Sequence, residues 1–147
     1  MEIVVINEAK DKSIYRYKKD YELIFSKALN LLDRNINSCC SVIFVTPERI
    51  HEINFGVFEG MPGKNEDFRY VKKNHAISYP QGEKLFQVVQ RVYNFLDEIH
   101  QRYQDQTVLV VCHGGIVRII HSYYHDMSNE ELFTWLPENC CFQEYEK

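Results

Sequence analysis

The chain has 147 residues, 45% hydrophobic and 26% charged, with a net charge of −4 at pH 7. A chain of this size suits one compact domain, residues 1–147, whose core needs no disulfide or metal. Charges of both signs are scattered along it, which excludes a dedicated nucleic-acid surface but leaves room for a locally positive pocket. The five Cys fall as Cys39-Cys40, Cys112 and Cys140-Cys141. That odd count, without a signal segment, reads as reduced thiols in a cytoplasmic protein.

In chain order, Ile3 to Ile6 is a β-branched run, too short for a leader or a membrane span and best read as a buried strand. Ala9 to Lys19 is polar and basic and reads as a loop. Asp20 to Asp33 places Tyr21, Ile24, Phe25, Ala28, Leu29 and Leu32 on one helical face. Val42 to Val45 is a second strand, stopped by Thr46-Pro47. Gly56 to Pro80 has no clean period and reads as an irregular excursion. Leu85, Val88, Val89, Val92, Phe95, Leu96 and Ile99 then form the strongest helical stripe in the chain. Thr107 to Cys112 is an apolar strand, Ile116 to Tyr124 a helix, Asn129 to Trp135 a short helix, and Cys141 to Tyr145 a closing strand. Alternation of strands and helices predicts an α/β fold, and ligands in such sheets bind beyond the carboxyl ends of parallel strands.

The sharpest local feature is V-L-V-V-C-H-G-G-I-V-R, from Val108 to Arg118. His113 follows a strand, and Gly114 and Gly115 lead into a helix whose free N–H groups and dipole suit an anion. The bland reading is a strand-to-helix turn with an incidental His, and from the local pattern alone both stand. His121 and His125, four apart near a helix end, read as surface residues rather than metal ligands. A zinc site needs three or four convergent groups.

Val110 to Arg118 resembles the second catalytic turn of histidine phosphatases, the phosphoglycerate mutase-like superfamily, with Cys112 where Ser or Thr is usual. E-R-I-H-E-I-N-F-G-V-F-E-G (Glu48 to Gly60) is similar to the family's E-R-L-x-E-I-x-F-G-x-W-E-G. Y-P-Q-G-E-K (Tyr79 to Lys84) is similar to its P-x-G-E-S segment. The three occur in the family's order and span about Val42 to Tyr145. The resemblance implies a three-layer α/β/α sandwich with a mostly parallel sheet. It implies Glu52 as the general acid, which protonates the leaving oxygen, and His113 as the group that stabilises the transferring phosphoryl. His113 and Gly114 are then the phosphate-binding residues. Glu83 matches a structural residue, expected in the first turn of the following helix, where its charge favours the dipole.

Two parts of the family pattern are missing. The nucleophilic His stands in an R-H-G triplet, and no R-H-G occurs in this sequence. An Arg in an S-S-P-x-x-R-A segment is likewise absent. Either Ile3–Ile6 is the family's first strand, with Asn7, Glu8 and Ala9 in place of Arg, His and Gly, or it is the second strand and the first is lacking. A carboxylate at Glu8 facing a phosphoryl dianion would cost on the order of several kcal/mol. The expected function is therefore recognition of a phosphorylated small molecule or phosphate by a pseudoenzyme, through His113, the Gly114 and Gly115 backbone, Arg118 and the Lys10–Lys19 segment. No cofactor, metal, nucleic acid or membrane is expected, and an open sheet edge would favour a homodimer. Two alternatives retain hydrolysis. In one, the missing groups come from elsewhere. In the other, Cys112-x5-Arg118 acts as a cysteine-dependent phosphatase loop, with Ile119 where Ser or Thr would assist thiol departure.

Overall fold

The computed structural model describes residues 2–7, 42–45, 48–104, 106–138 and 142–146; before Arg49 it describes the backbone path. Strand β1 (Glu2–Asn7) and strand β2 (Val42–Val45) are followed by short 3-10 turns at Glu48–Ile50 and Gly56–Phe58. Then come α1 (Glu66–Lys73), α2 (Leu85–Arg102), β3 (Thr107–Cys112), α3 (Gly114–Tyr124), α4 (Asn129–Thr134) and β4 (Phe142–Glu146). The expected loop at Ala9–Lys19, the helix at Asp20–Asp33 and the two Cys pairs lie outside the described residues.

The four described strands form one sheet in the order β2-β3-β1-β4. β3 pairs in parallel with β2 on one side and with β1 on the other, and β4 closes the β1 edge antiparallel. The fold is thus α/β with a mostly parallel sheet. Ile3 lies opposite Val108 and Asn7 opposite Cys112, with no strand between them. This is the position that the first of the two registers assigns to β1, at the strand whose end carries His113. Glu8 lies outside the described residues.

β3 sits centrally because its side chains are apolar on both faces, as the run of small β-branched residues demands. Val108, Leu109 and Val110 are all at most 1% exposed. Val88, Val92, Phe95, Leu96 and Ile99 of α2 join Ile116, Val117, Ile119 and Ile120 of α3 in the same core. Burial of each such side chain contributes roughly 1.5–3 kcal/mol. The two helices are also tied by a Tyr93–Ser122 hydroxyl contact of 3.0 Å.

One expectation is corrected here. Gly56–Pro80 is not wholly irregular, because it contains α1. The Asn65 side chain accepts from the Phe68 N–H, Glu66 and Asp67 stand in the first turn and Lys72 and Lys73 in the last. Capping and charge placement define this helix. Its only buried residue is Phe68, so no apolar stripe announces it. Two boundaries also move: α3 begins at Gly114 rather than Ile116, and β4 runs Phe142–Glu146.

Candidate functional site

β3 ends at Cys112, and His113 is the N-cap of α3 with an extended backbone, φ −83° and ψ 157°. Its carbonyl accepts from the Ile116 and Val117 N–H groups, each at 2.9 Å, which starts the helix at once. His113 is exposed and Gly114 is buried beneath it.

Glu52 arrives at the same place from the other motif. Its Oε1 accepts from the Ile53 N–H at 2.9 Å, which fixes the carboxylate. A Cβ on Gly115 would stand 2.6 Å from that oxygen. A non-glycine residue would collide with Glu52, so the second glycine of H-G-G is what lets the carboxylate rest on the first turn of α3. Of the expected site residues, Glu52, His113 and Gly114 thus meet around one helix N-terminus.

Backbone contacts between the Glu48–Gly60 and Tyr79–Lys84 motifs set the position of Glu52. Gly56 has φ +57°, and a Cβ there would lie 2.0 Å from the Pro80 carbonyl; at Gly82 a Cβ would lie 2.4 Å from the Asn54 carbonyl. The absence of both lets Val57 N–H reach Pro80 O at 3.0 Å and Glu83 N–H reach Asn54 O at 2.9 Å. The Glu83 side chain corrects an expectation. It precedes the Lys84 N-cap of α2 rather than standing in its first turn. Its carboxylate instead accepts from Asn54 N–H and from Arg91 Nε and Nη2. Burial pulls its pKa upward, yet those hydrogen bonds and the nearby Arg91 and His51 hold it below the ordinary carboxylate value. Arg91 also donates to the Arg49 carbonyl at 2.6 Å. Glu83 and Arg91 together clamp the 49–54 segment onto α2.

Beside the α3 N-terminus lies a pocket whose walls include Gly115, Arg118, His75, Lys72, Tyr79 and Ile53. Tyr79 is buried and packs edge-on against Phe55, with ring centroids 5.1 Å apart. Burial chiefly, opposed by Arg118 and reinforced by Glu52, pushes the Tyr79 phenol up to about 12, so it is a neutral donor at ordinary pH. Burial also lowers the Arg118 pKa, while Glu52 and Tyr79 favour its charge. A guanidinium stays cationic under such shifts. His75 is pushed below its ordinary value, first by burial and then by Arg118. The pocket therefore holds a fixed positive charge, partly withdrawn from water, beside a phenol donor. Arg118 lies one helical turn beyond Gly114 and Gly115, so the turn motif, which ends on it, pointed to it. Tyr79 was visible only as the first residue of Y-P-Q-G-E-K, and His75 carried no signal, because α1 and the turn after it bring it in.

The cysteine route does not fit this geometry. Cys112 is 3% exposed and packed in the core, where it also faces Tyr145. The residues from Gly114 onward are already α-helix rather than a loop of N–H groups around an anion. A thiol buried in apolar surroundings is inert. His121 and His125 face each other at 4.4 Å between ring centroids, with aromatic neighbours. Among the described residues no group of three or more His, Cys, Asp or Glu is placed to hold a metal ion, and no helix is long and apolar enough to cross a membrane.

Residues 34–146 match the model of the histidine phosphatase superfamily, branch 1. Phosphoserine phosphatase 1 of Hydrogenobacter thermophilus is 38% identical over 84 residues, 52% of this chain and 40% of that protein. The 6-phosphofructo-2-kinase/fructose-2,6-bisphosphatase of Gallus gallus is 31% identical over 90 residues, 56% of this chain and 18% of that protein. The matches thus span well under half the length of these relatives. The structure of mycobacterial glucosyl-3-phosphoglycerate phosphatase with VO3 superposes with a TM-score of 0.67 at 13% identity, covering 97% of this chain and 91% of that one. A family match over most of the chain, on a sheet and motif arrangement of this kind, makes the protein a member of the histidine phosphatase superfamily with the phosphoglycerate mutase-like α/β fold.

Proposed function

We propose that this chain recognises a phosphorylated small molecule, with the phosphoryl group at the α3 N-terminus beside His113, Gly114 and Glu52, and that it hydrolyses its ligand slowly or not at all. The observation that carries this reading is the Glu52 carboxylate resting on Gly115. It joins the family's acid to the turn that carries His113, at a helix end suited to an anion. The remainder of the ligand enters the pocket at Arg118, Tyr79 and His75. A partly desolvated guanidinium there favours a second anionic group. Phosphoserine and fructose 2,6-bisphosphate, named in the relatives, both carry one.

Slow or absent hydrolysis is expected from the sequence: no R-H-G triplet occurs in it, so the covalent phosphohistidine step has no nucleophile of the family type. A second reading, hydrolysis with the nucleophile supplied by another group or another chain, is favoured by the intact juxtaposition of Glu52 with the His113 turn. Turnover of p-nitrophenyl phosphate by the purified chain separates the two. The first reading expects a rate indistinguishable from buffer while orthovanadate still binds. Turnover that is lost in both Glu52→Gln and His113→Ala would overturn it in favour of the second.

A further inference from the structure

Arg118 and His121 are three residues apart and share one face of α3. The segment that ends α4 runs along that face. The Trp135 carbonyl accepts from Arg118 Nε. The Trp135 ring stacks flat on His121, with centroids 4.1 Å apart and planes 11° from parallel. The Trp135 N–H is taken up by the Glu131 carbonyl at 2.7 Å, so the residue is held from both of its peptide groups and from its ring. His121 is fixed in turn by Tyr145 of β4, whose hydroxyl lies 3.1 Å from Nδ1. Tyr145 is 4% exposed and stacks on Tyr124 at 4.6 Å. His121 is half-buried, and its aromatic ring is accounted for by these stacking and hydrogen-bond partners rather than by a metal.

We propose that Trp135 is the positioning residue for Arg118: its carbonyl aims the guanidinium, and its ring, stacked on His121, fixes the carbonyl. This rests on the reading above that Arg118 receives a second anionic group. One Nε–H donated to a fixed carbonyl leaves the two Nη groups as the remaining donors of the fork and limits the rotation of its plane. A ligand with a second anionic group that needs a set fork orientation feels the loss of that anchor, whereas inorganic phosphate at the α3 N-terminus has no second group to bring to the fork. The device is local to this chain's own residues. Trp135 is the only Trp in the sequence, so its stack on His121 can be followed directly by fluorescence.

The test compares two probes on the full chain, inorganic phosphate and phosphoglycolate, which adds a carboxylate to the same phosphoryl group. Wild type is expected to prefer phosphoglycolate. His121→Ala, which removes the stacked ring, and Trp135→Ala are expected to reduce that preference about tenfold with the phosphate affinity unchanged. Trp135→Phe keeps a stacking ring and is expected to restore the preference, and it guards against a Trp135→Ala variant that fails to fold. Trp135 emission should shift in His121→Ala. A wild type that prefers phosphoglycolate, alongside a His121→Ala variant with the same preference, would overturn the positioning role alone. A wild type that binds phosphate with no preference for phosphoglycolate would overturn the assignment of Arg118, and the positioning role with it.

Discussion

The Glu52 carboxylate lies over Gly115, with Oε1 only 2.6 Å from where a Cβ on that glycine would be. Two residues of different motifs, more than sixty positions apart in the sequence, are thereby fitted to each other by one missing methyl group. Gly115→Ala is expected to displace the carboxylate, the free end of a side chain, rather than the backbone. The stability cost should be small, within about 1 kcal/mol. The change in orthovanadate affinity should equal that of Glu52→Gln, and the double variant should match either single one within about 0.5 kcal/mol. A titration series on the four proteins measures this cycle, and additive effects would show that the two residues act apart.

Gly82 and Gly56 meet backbone rather than a movable side chain. Gly82→Ala would drive a Cβ to 2.4 Å from the Asn54 carbonyl, and Gly56→Ala adds a positive φ to a 2.0 Å clash with the Pro80 carbonyl. Each is expected to destabilise the domain by about 2–4 kcal/mol, well beyond an ordinary surface change. Urea unfolding monitored at Trp135 reads the loss as a lower midpoint with an unchanged slope.

Arg91 makes hydrogen bonds to Glu83 and to the Arg49 carbonyl. Both side chains of the pair are mostly covered, 16% and 22% exposed. Arg91→Ala leaves the Glu83 carboxylate without its cation and should cost about 1–3 kcal/mol. Thermal unfolding should show a lower midpoint. Since the clamp holds residues 49–54, orthovanadate affinity should fall as well.

Glu83 also sets a pH dependence. Its pKa in the folded protein is below the ordinary value of 4.5. The unfolded chain then binds the proton more readily, so the stability that Glu83 contributes is fully present above about 4.5 and is lost as pH falls through the lower folded value. Unfolding midpoints measured from pH 7 downward should decline below that point. Glu83→Gln should flatten the decline, and an equal slope in both proteins would assign acid lability elsewhere.

Cys112→Ser places a hydroxyl in an apolar site that is 3% exposed. It should cost about 1–3 kcal/mol of stability and leave orthovanadate affinity within twofold. A change in affinity without a change in stability would return the thiol to the site.

Much of this arrangement was legible before the structure. The α2 stripe and the apolar β3 run specify their elements because period and burial agree there. The three motifs mark Glu52, His113 and Gly114. What stayed hidden depends on tertiary approach. α1 has one buried residue and is defined by its caps. Glu83 reads as a helix-dipole residue until Arg91, two turns further along α2, is seen to reach it. His75 and Trp135 have no pattern of their own. They become interesting only when the chain after α1 and the end of α4 are laid against α3. The choice between the two registers for Ile3–Ile6 also needed a pairing partner, since a short β-branched strand is equally at home in either slot. The pairing of Asn7 with Cys112 favours the first.

The central claim, a phosphoryl site at the α3 N-terminus, is tested most directly by calorimetric titration of orthovanadate into wild type and His113→Ala at one salt concentration. Saturable one-site binding by wild type, weakened about tenfold or more in His113→Ala, is the expected result. No saturable binding by the wild type, or equal affinity in the two proteins, would contradict it.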